Sequence, residues 1–330
     1  MIESKDISVV VQGAIDSKNT PLCLKSIRKV LPKATIILST WEDSDIKNLD
    51  YDRILLNQDP GGFKDRNSNF TNNLLRQLVS TQNALKIVDT MYTLKIRTDI
   101  LLKSAKFLKY INEFNDCNSE YKIYNEKIIT TSFFTKRFLC DKKGKYFMPV
   151  PFHVSDWFSF GLSKDIRNIF SIRLPDEPLQ SEYFYNQKLD FDSLNLLGCS
   201  HQYCPEQYIT YHSYQNFSKN PVKFENYLDY DNLNTTESEL YILNNFKIFS
   251  PQELDFICLK NNTNSDFYRV WCKNPFSVPY ILWNGLYRPY IYRILYKRYC
   301  DKNYTIPLRI KFNEALEKII IARGKKCITY

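Results

Sequence analysis

Four short apolar runs, each ending in polar or turn-forming residues, constrain this chain more than any other feature. Ile7–Gln12 (ISVVVQ) stops at Gly13-Ala14-Ile15-Asp16. Ala34–Ser39 (ATIILS) leads into Thr40-Trp41-Glu42-Asp43, and Asp52–Asn57 (DRILLN) leads into Gln58-Asp59-Pro60-Gly61-Gly62. The fourth run, Tyr92–Ile100 (YTLKIRTDI), carries Lys95, Arg97 and Asp99 toward its end. Short, uniformly apolar runs fit strands buried on both faces of a parallel sheet. A helical period separates the first run from the second: Leu22, Leu24, Ile27 and Val30, with Thr20 as N-cap, Pro21 at the first helical position and a stop before Pro32. A longer helical period, Asn69–Val88, separates the third from the fourth. The order strand, helix, strand, strand, helix, strand predicts an α/β fold with a mostly parallel central sheet.

Further on, helices are expected over Ala105–Phe114, Leu179–Lys188 and Pro205–Tyr214, and a strand over Lys127–Phe134. Lys136–Met148 reads as a loop or hairpin, and Phe152–Leu162 mixes aromatic with polar residues. From Asn216 to Asp266 no clear strand-helix period is visible. There is no internal repeat and no Gly/Ser linker, so the simplest organisation is one α/β unit over 1–215 and a helical, aromatic and basic region over 216–330. The net charge of +9 is concentrated there: Trp283–Tyr330 holds eleven Lys/Arg against three Asp/Glu, and the rest of the chain is nearly neutral.

That charge distribution narrows the partners. Trp283–Tyr299 interleaves aromatics with Arg and Lys, and Ile310–Arg323 has the pattern of an amphipathic helix. Such helices suit an anionic membrane surface, or else they pack their aromatics onto the main domain. No recognised nucleic-acid motif accompanies the charge, which argues against that partner. No run of 18 apolar residues exists, and no signal-peptide core precedes the first strand, so a cytoplasmic protein is expected. The nine cysteines are scattered without a CxxC pair, which argues for reduced thiols over structural zinc.

The loops after parallel strands converge on one edge, where ligands of open α/β sheets bind. Gln12 and Gly13 stand there after the first strand and Thr40 after the second, with Gly13 permitting close backbone approach. There is neither GxGxxG nor GxxxxGK[ST], so dinucleotide and P-loop readings lose support. Arg97-Thr98-Asp99 at the fourth strand's end is a candidate site for a phosphate, a metal or both, or else a structural ion pair. Asn69, Asn72, Asn73, Arg76, Gln77 and Ser80 form one polar stripe on the long helix, suited to a phosphate-sugar ligand through the Arg76 fork, or a solvated face. His153-Val154-Ser155-Asp156-Trp157 is a second dense cluster, with Trp157 as a sugar platform and His153 either functional or a core histidine. On a strand, His153 and Ser155 would share one face and Asp156 the other. Glu206, after Pro205, is either a favourable first-turn acid or a general base.

Taken together, VVVQGAI, TPLCLKSIRKVLPKATIILSTWEDSDI, YDRILLNQDPGG, LLRQLVSTQNAL, YTLKIRTDI, FHVSDWFSFG and PEQY resemble the WavE-type lipopolysaccharide-synthesis family over residues 7–212. The resemblance implies a glycosyltransferase with a Rossmann-like GT-A fold, a nucleotide-sugar donor, and a glycan or glycolipid acceptor at the inner face of the cytoplasmic membrane. It implies Gln12, Gly13, Thr40, Arg76, Gln77, Lys95, Arg97 and Asp99 around the donor, and Trp157 and Gln207 on the substrate. Glu206 or Asp156 would act as base, with His153 beside them. Members of that fold carry an Asp-x-Asp-like triplet for a divalent metal, Mn or Mg; here the triplet is Arg97-Thr98-Asp99, which keeps only the last carboxylate. Asp99 would then hold the metal, or Arg97 and Lys95 would neutralise the phosphates without one. Two other readings remain: transfer of an alditol phosphate or another phospho-group from a CDP-type donor, and a non-catalytic carbohydrate-binding protein.

Overall fold

A computed structural model describes residues 2–65, 71–140, 147–185, 187, 200–259 and 289–306. In it the first apolar run is a strand buried at every residue, β1 (Ile7–Gln12). It is followed by β2 (Thr35–Trp41), β3 (Arg53–Asn57) and β4 (Tyr92–Arg97). These four pair in parallel, in the order β4-β1-β2-β3. Val9, Val10 and Val11 point to alternating faces of β1, and both faces are covered, so no polar position is tolerated between them. Three further strands, β5 (Ile128–Thr131), β6 (Phe158–Leu162) and β7 (Phe246–Phe249), extend the sheet past β4. β6 runs antiparallel to β4 and β5, and β7 is parallel to β5. The result is a seven-stranded, mostly parallel sheet of order β7-β5-β6-β4-β1-β2-β3, in the α/β class that the strand pattern predicts.

Helices cover the sheet. α1 (Asn19–Val30) packs against the short strand Ile100–Leu102, and α2 (Leu74–Lys86) lies on β1, β2 and β3 beside α3 (Ser163–Phe170). α4 (Pro205–Phe217) packs on α3, α5 (Asn232–Asn245) runs directly into β7, and α6 (Pro289–Tyr299) lies against α5 and β7. Because β7 is an edge strand of the same sheet, the expected boundary at 215/216 falls within the sheet's span of sequence.

Several local expectations are corrected. α1 begins at Asn19, so Thr20 is not its N-cap. Asp16 accepts the N–H of Lys18 and of Asn19 at 3.0 and 2.7 Å, and the buried Thr20 hydroxyl accepts the Asp16 N–H. α2 starts only at Leu74, because Thr71–Asn72 pairs with Phe63–Lys64 and the Asn72 side chain accepts the Leu74 N–H. The expected helix at 105–114 is a 3-10 helix, Lys106–Asn112: Phe107 and Tyr110, three apart, are both buried. Of the helix expected at Leu179–Lys188, one turn forms, Leu179–Glu182; Asn186 and Lys188 lie outside the described residues, as do Asn69 of the polar stripe and Ile310–Arg323. Lys136–Met148 does contain a hairpin, Phe138–Cys140 with Phe147–Pro149. His153–Trp157 is irregular, not strand, so the alternation of faces expected there does not apply.

Candidate active site

The carboxyl ends of β1, β2 and β4 open on a cleft of about 560 Å³. Its wall includes Gln12, Gly13, Asp16, Trp41, Asp59, Asn73, Arg76, Gln77, Arg97, Thr98, Asp99 and Asp156. Parallel pairing carries the loops after these strands to one edge. β6 contributes because it is antiparallel: Phe158 pairs with Ile96, so the residues entering β6, Asp156 and Trp157, arrive at the same edge beside Arg97. Gly13 has a φ of +124°, a conformation strained for any residue with a side chain, and a Cβ there would meet Thr98 Oγ1 at 3.4 Å. Thr98 in turn donates to the Ala14 carbonyl at 2.9 Å, tying the β1 and β4 loops together.

Among the described residues two guanidinium groups face the cleft, and they differ in how much of each is used. Arg76 grips Asp59 through Nε and Nη2 at 2.7 and 2.6 Å, and its Nη1 donates to Asn73 Oδ1 at 3.1 Å. Arg97 grips Asp99 through Nε and Nη2 at 3.1 and 2.8 Å, while its Nη1 has no partner among the described residues. The face of Arg97 lies 3.9 Å from the centre of the Trp157 ring. Burial disfavours the Arg97 charge, but Asp99 and Asp156 outweigh that and raise its pKa. Trp157 is not a free sugar platform: Arg97 covers one face, and Phe134 stacks on the ring at 5.0 Å and 11°.

Asp156 is the one expected catalytic group that reaches the cleft wall. Gln77 Nε2 donates to its Oδ2, while the buried Oδ1 has no hydrogen-bond partner among the described residues. Lys95, fully buried, donates to the Asp156 carbonyl at 2.5 Å and is not among the residues that line the cleft. Burial lowers the Lys95 pKa to about 8, against the opposing pull of Asp156. Glu206, in the first turn of α4, is also behind the wall. Burial, reinforced by the Asp156 charge, pushes its pKa up to about 7. His153 Nε2 is 3.8 Å from Glu206, and burial together with Lys136 holds its pKa well below the usual histidine value, so it is neutral.

Two expected contacts are spent elsewhere. Thr40 is buried with its hydroxyl on Ser44 Oγ at 3.0 Å, and Trp41, one residue on, takes the place on the wall. Gln207 caps its own helix by accepting the Cys204 N–H and donates to the Pro151 carbonyl at 2.8 Å. Gln12 lines the cleft but is braced by Ser80 Oγ at 3.0 Å. Asp16, Trp41 and Asp59 also line the cleft: Asp16 and Asp59 from the loops after β1 and β3, and Trp41 as the last residue of β2. Asp99 presents one carboxylate, already chelated by Arg97, and no group of three His, Cys, Asp or Glu side chains able to hold a metal occurs among the described residues.

No curated protein matches the chain. Among solved structures, 171 chains match, including S. aureus TarS at 13% identity and a TM-score of 0.36 over 64% of this chain. The match spans 33% of the TarS chain. The family model for WavE lipopolysaccharide synthesis matches residues 7–326, nearly the full length. The chain therefore belongs to the WavE lipopolysaccharide-synthesis family.

Proposed function

We propose that this protein is a glycosyltransferase that moves a sugar from a nucleotide-activated donor to a bacterial surface glycan. One observation carries the reading: Asp156 and Arg97 both line the cleft, and each keeps one polar atom without a hydrogen-bond partner among the described residues, the buried Oδ1 of Asp156 and Nη1 of Arg97. Family membership supports the glycan pathway. Asp156 takes the proton of an acceptor hydroxyl, whose oxygen attacks the donor's anomeric carbon. The bond from that carbon to the phosphate oxygen breaks, and Arg97 stabilises the charge left on the phosphate. Burial and the Asp156 charge push the Glu206 pKa up to about 7, which favours its neutral form beside Asp156. Trp41, Asp16 and Gln12 form the nucleoside end of the cleft.

The test is turnover of UDP-, CDP- and CMP-activated sugars, with and without Mn²⁺. Asp156→Asn is expected to lower kcat about 10²-fold or more while leaving nucleotide binding in place; a near-normal rate would remove Asp156 from the mechanism. Phosphorus in the product would instead indicate alditol-phosphate transfer, and failure to bind any of UDP, CDP or CMP would favour the carbohydrate-binding reading. An anionic membrane surface as the place of action rests on the basic surplus after residue 283. No described helix is long and apolar enough to cross a membrane. Flotation with anionic and neutral vesicles tests this, with salt-sensitive binding to the anionic ones expected.

A further inference from the structure

Arg97 is held by two different surfaces. Its Nε–Nη2 edge lies on Asp99, and its flat face lies 3.9 Å from the centre of the Trp157 ring. The edge contact alone would let the guanidinium swing about the carboxylate; the face contact fixes its plane. Trp157 is itself clamped. Phe134 stacks on the ring at 5.0 Å and 11°, and Phe133 meets it edge-on at 4.9 Å and 89°. Phe134 reaches that position with a φ of +66°, a conformation bulky residues seldom adopt. Strain of this kind persists where the surroundings impose it, and it concentrates at functional sites. The register of β6 on β4 supplies the juxtaposition, because Phe158 opposite Ile96 sets Trp157 next to Arg97.

We propose that Trp157, backed by Phe134, is a positioning residue that fixes the Arg97 guanidinium so that Nη1 points at an anionic phosphate in the cleft. This rests on the reading of the cleft as a nucleotide-sugar site. It also separates the two cleft arginines. Every nitrogen of Arg76 already has a partner, whereas Arg97 is stacked, chelated and left with one nitrogen for a ligand. The aromatic ring acts through its face, so phenylalanine at 157 serves and an aliphatic residue of similar bulk does not.

The experiment uses the full chain labelled with ¹⁵N-arginine, as wild type, Trp157→Phe and Trp157→Leu, with Phe134→Leu as a second route should Trp157→Leu not fold. Two quantities are read: hydrogen exchange of the Arg97 Nε–H, assigned with Arg97→Lys, and calorimetric affinity for UDP, CDP and CMP. Exchange about tenfold faster and nucleotide affinity about tenfold weaker are expected in Trp157→Leu or Phe134→Leu, with both restored in Trp157→Phe. Unchanged exchange in the leucine variants would overturn the proposal, as would a phenylalanine variant as impaired as the leucine one. If wild type binds none of the three nucleotides, the nucleotide-sugar reading and the phosphate-directed role fall together. Faster exchange with unchanged nucleotide affinity would overturn the positioning role alone.

Discussion

At the scale of single residues, the site is organised by where charge is buried. Arg97, Asp99 and Asp156 line the cleft, Lys95 is fully buried behind them, and Glu206, in the first turn of α4, has its pKa pushed up by burial to about 7. A carboxyl whose folded pKa lies above its unfolded value binds more protons when folded, so its contribution to stability falls as pH rises through the interval between the two. For Glu206 that interval runs from its ordinary 4.5 up to about 7. Glu206→Gln should therefore match wild type near pH 4 and exceed it by a few kcal/mol at pH 8. Urea unfolding at the two pH values checks this, and equal differences at both would count against a buried, protonated Glu206. Little of this was legible beforehand. Arg97 and Asp99 could be marked as candidates because charges at strand ends need partners, and Asp156 because it stands in the dense polar-aromatic run 153–157. That Lys95 would serve a carbonyl, and Gln207 a cap, depends on which face each side chain takes.

Among the elements, α6 decides how the basic C-terminal region is used. Its aromatic face is spent on the domain: Tyr292 is fully buried and donates to the Phe246 carbonyl at 2.8 Å, and the Tyr296 hydroxyl accepts the Asp116 N–H at 3.0 Å. Within this helix the packing alternative prevails over the membrane face that its aromatic-basic pattern also allows. Tyr292→Phe should cost about 1 kcal/mol, the net worth of one hydrogen bond, and Tyr292→Ala about 3–5 kcal/mol. Thermal unfolding measures both, and a near-neutral alanine variant would show the helix not to be docked. Two buried lysines do comparable work at helix ends. Lys127 donates to the Leu243 carbonyl near the end of α5, and Lys247 to the Ile111 carbonyl in the 3-10 helix. Periodicity located β1, β2, β3, β4 and α4 well. It missed α3, although Ile166, Ile169 and Phe170 are at helical spacing, because that segment has only eight residues.

For the whole molecule, the sheet is one continuous object drawn from distant sequence. β7 at 246–249 pairs with β5 at 128–131, and α5 and α6 cover it. A fragment ending at residue 215 loses β7 and the residues that bury Tyr124 and Phe114, among them Tyr241 and Tyr292. It should therefore fail to unfold cooperatively, and circular dichroism with urea titration tests this; a sharp transition would make 1–215 an independent domain. The sequence by itself determined that the chain is α/β, that four apolar runs are parallel strands, and that polar loops gather at their carboxyl ends; burial on both faces accounts for the pattern of β1, β2 and β4, while β3 is a half-exposed edge strand. Only the tertiary structure decided which of the gathered residues face the cleft. That depends on strand register and on the reversed direction of β6, which carry Asp156 and Trp157 to Arg97 from 60 residues away in sequence and leave Glu206 behind the wall. No local pattern encodes that pairing, because it is fixed by contacts between segments far apart in the chain.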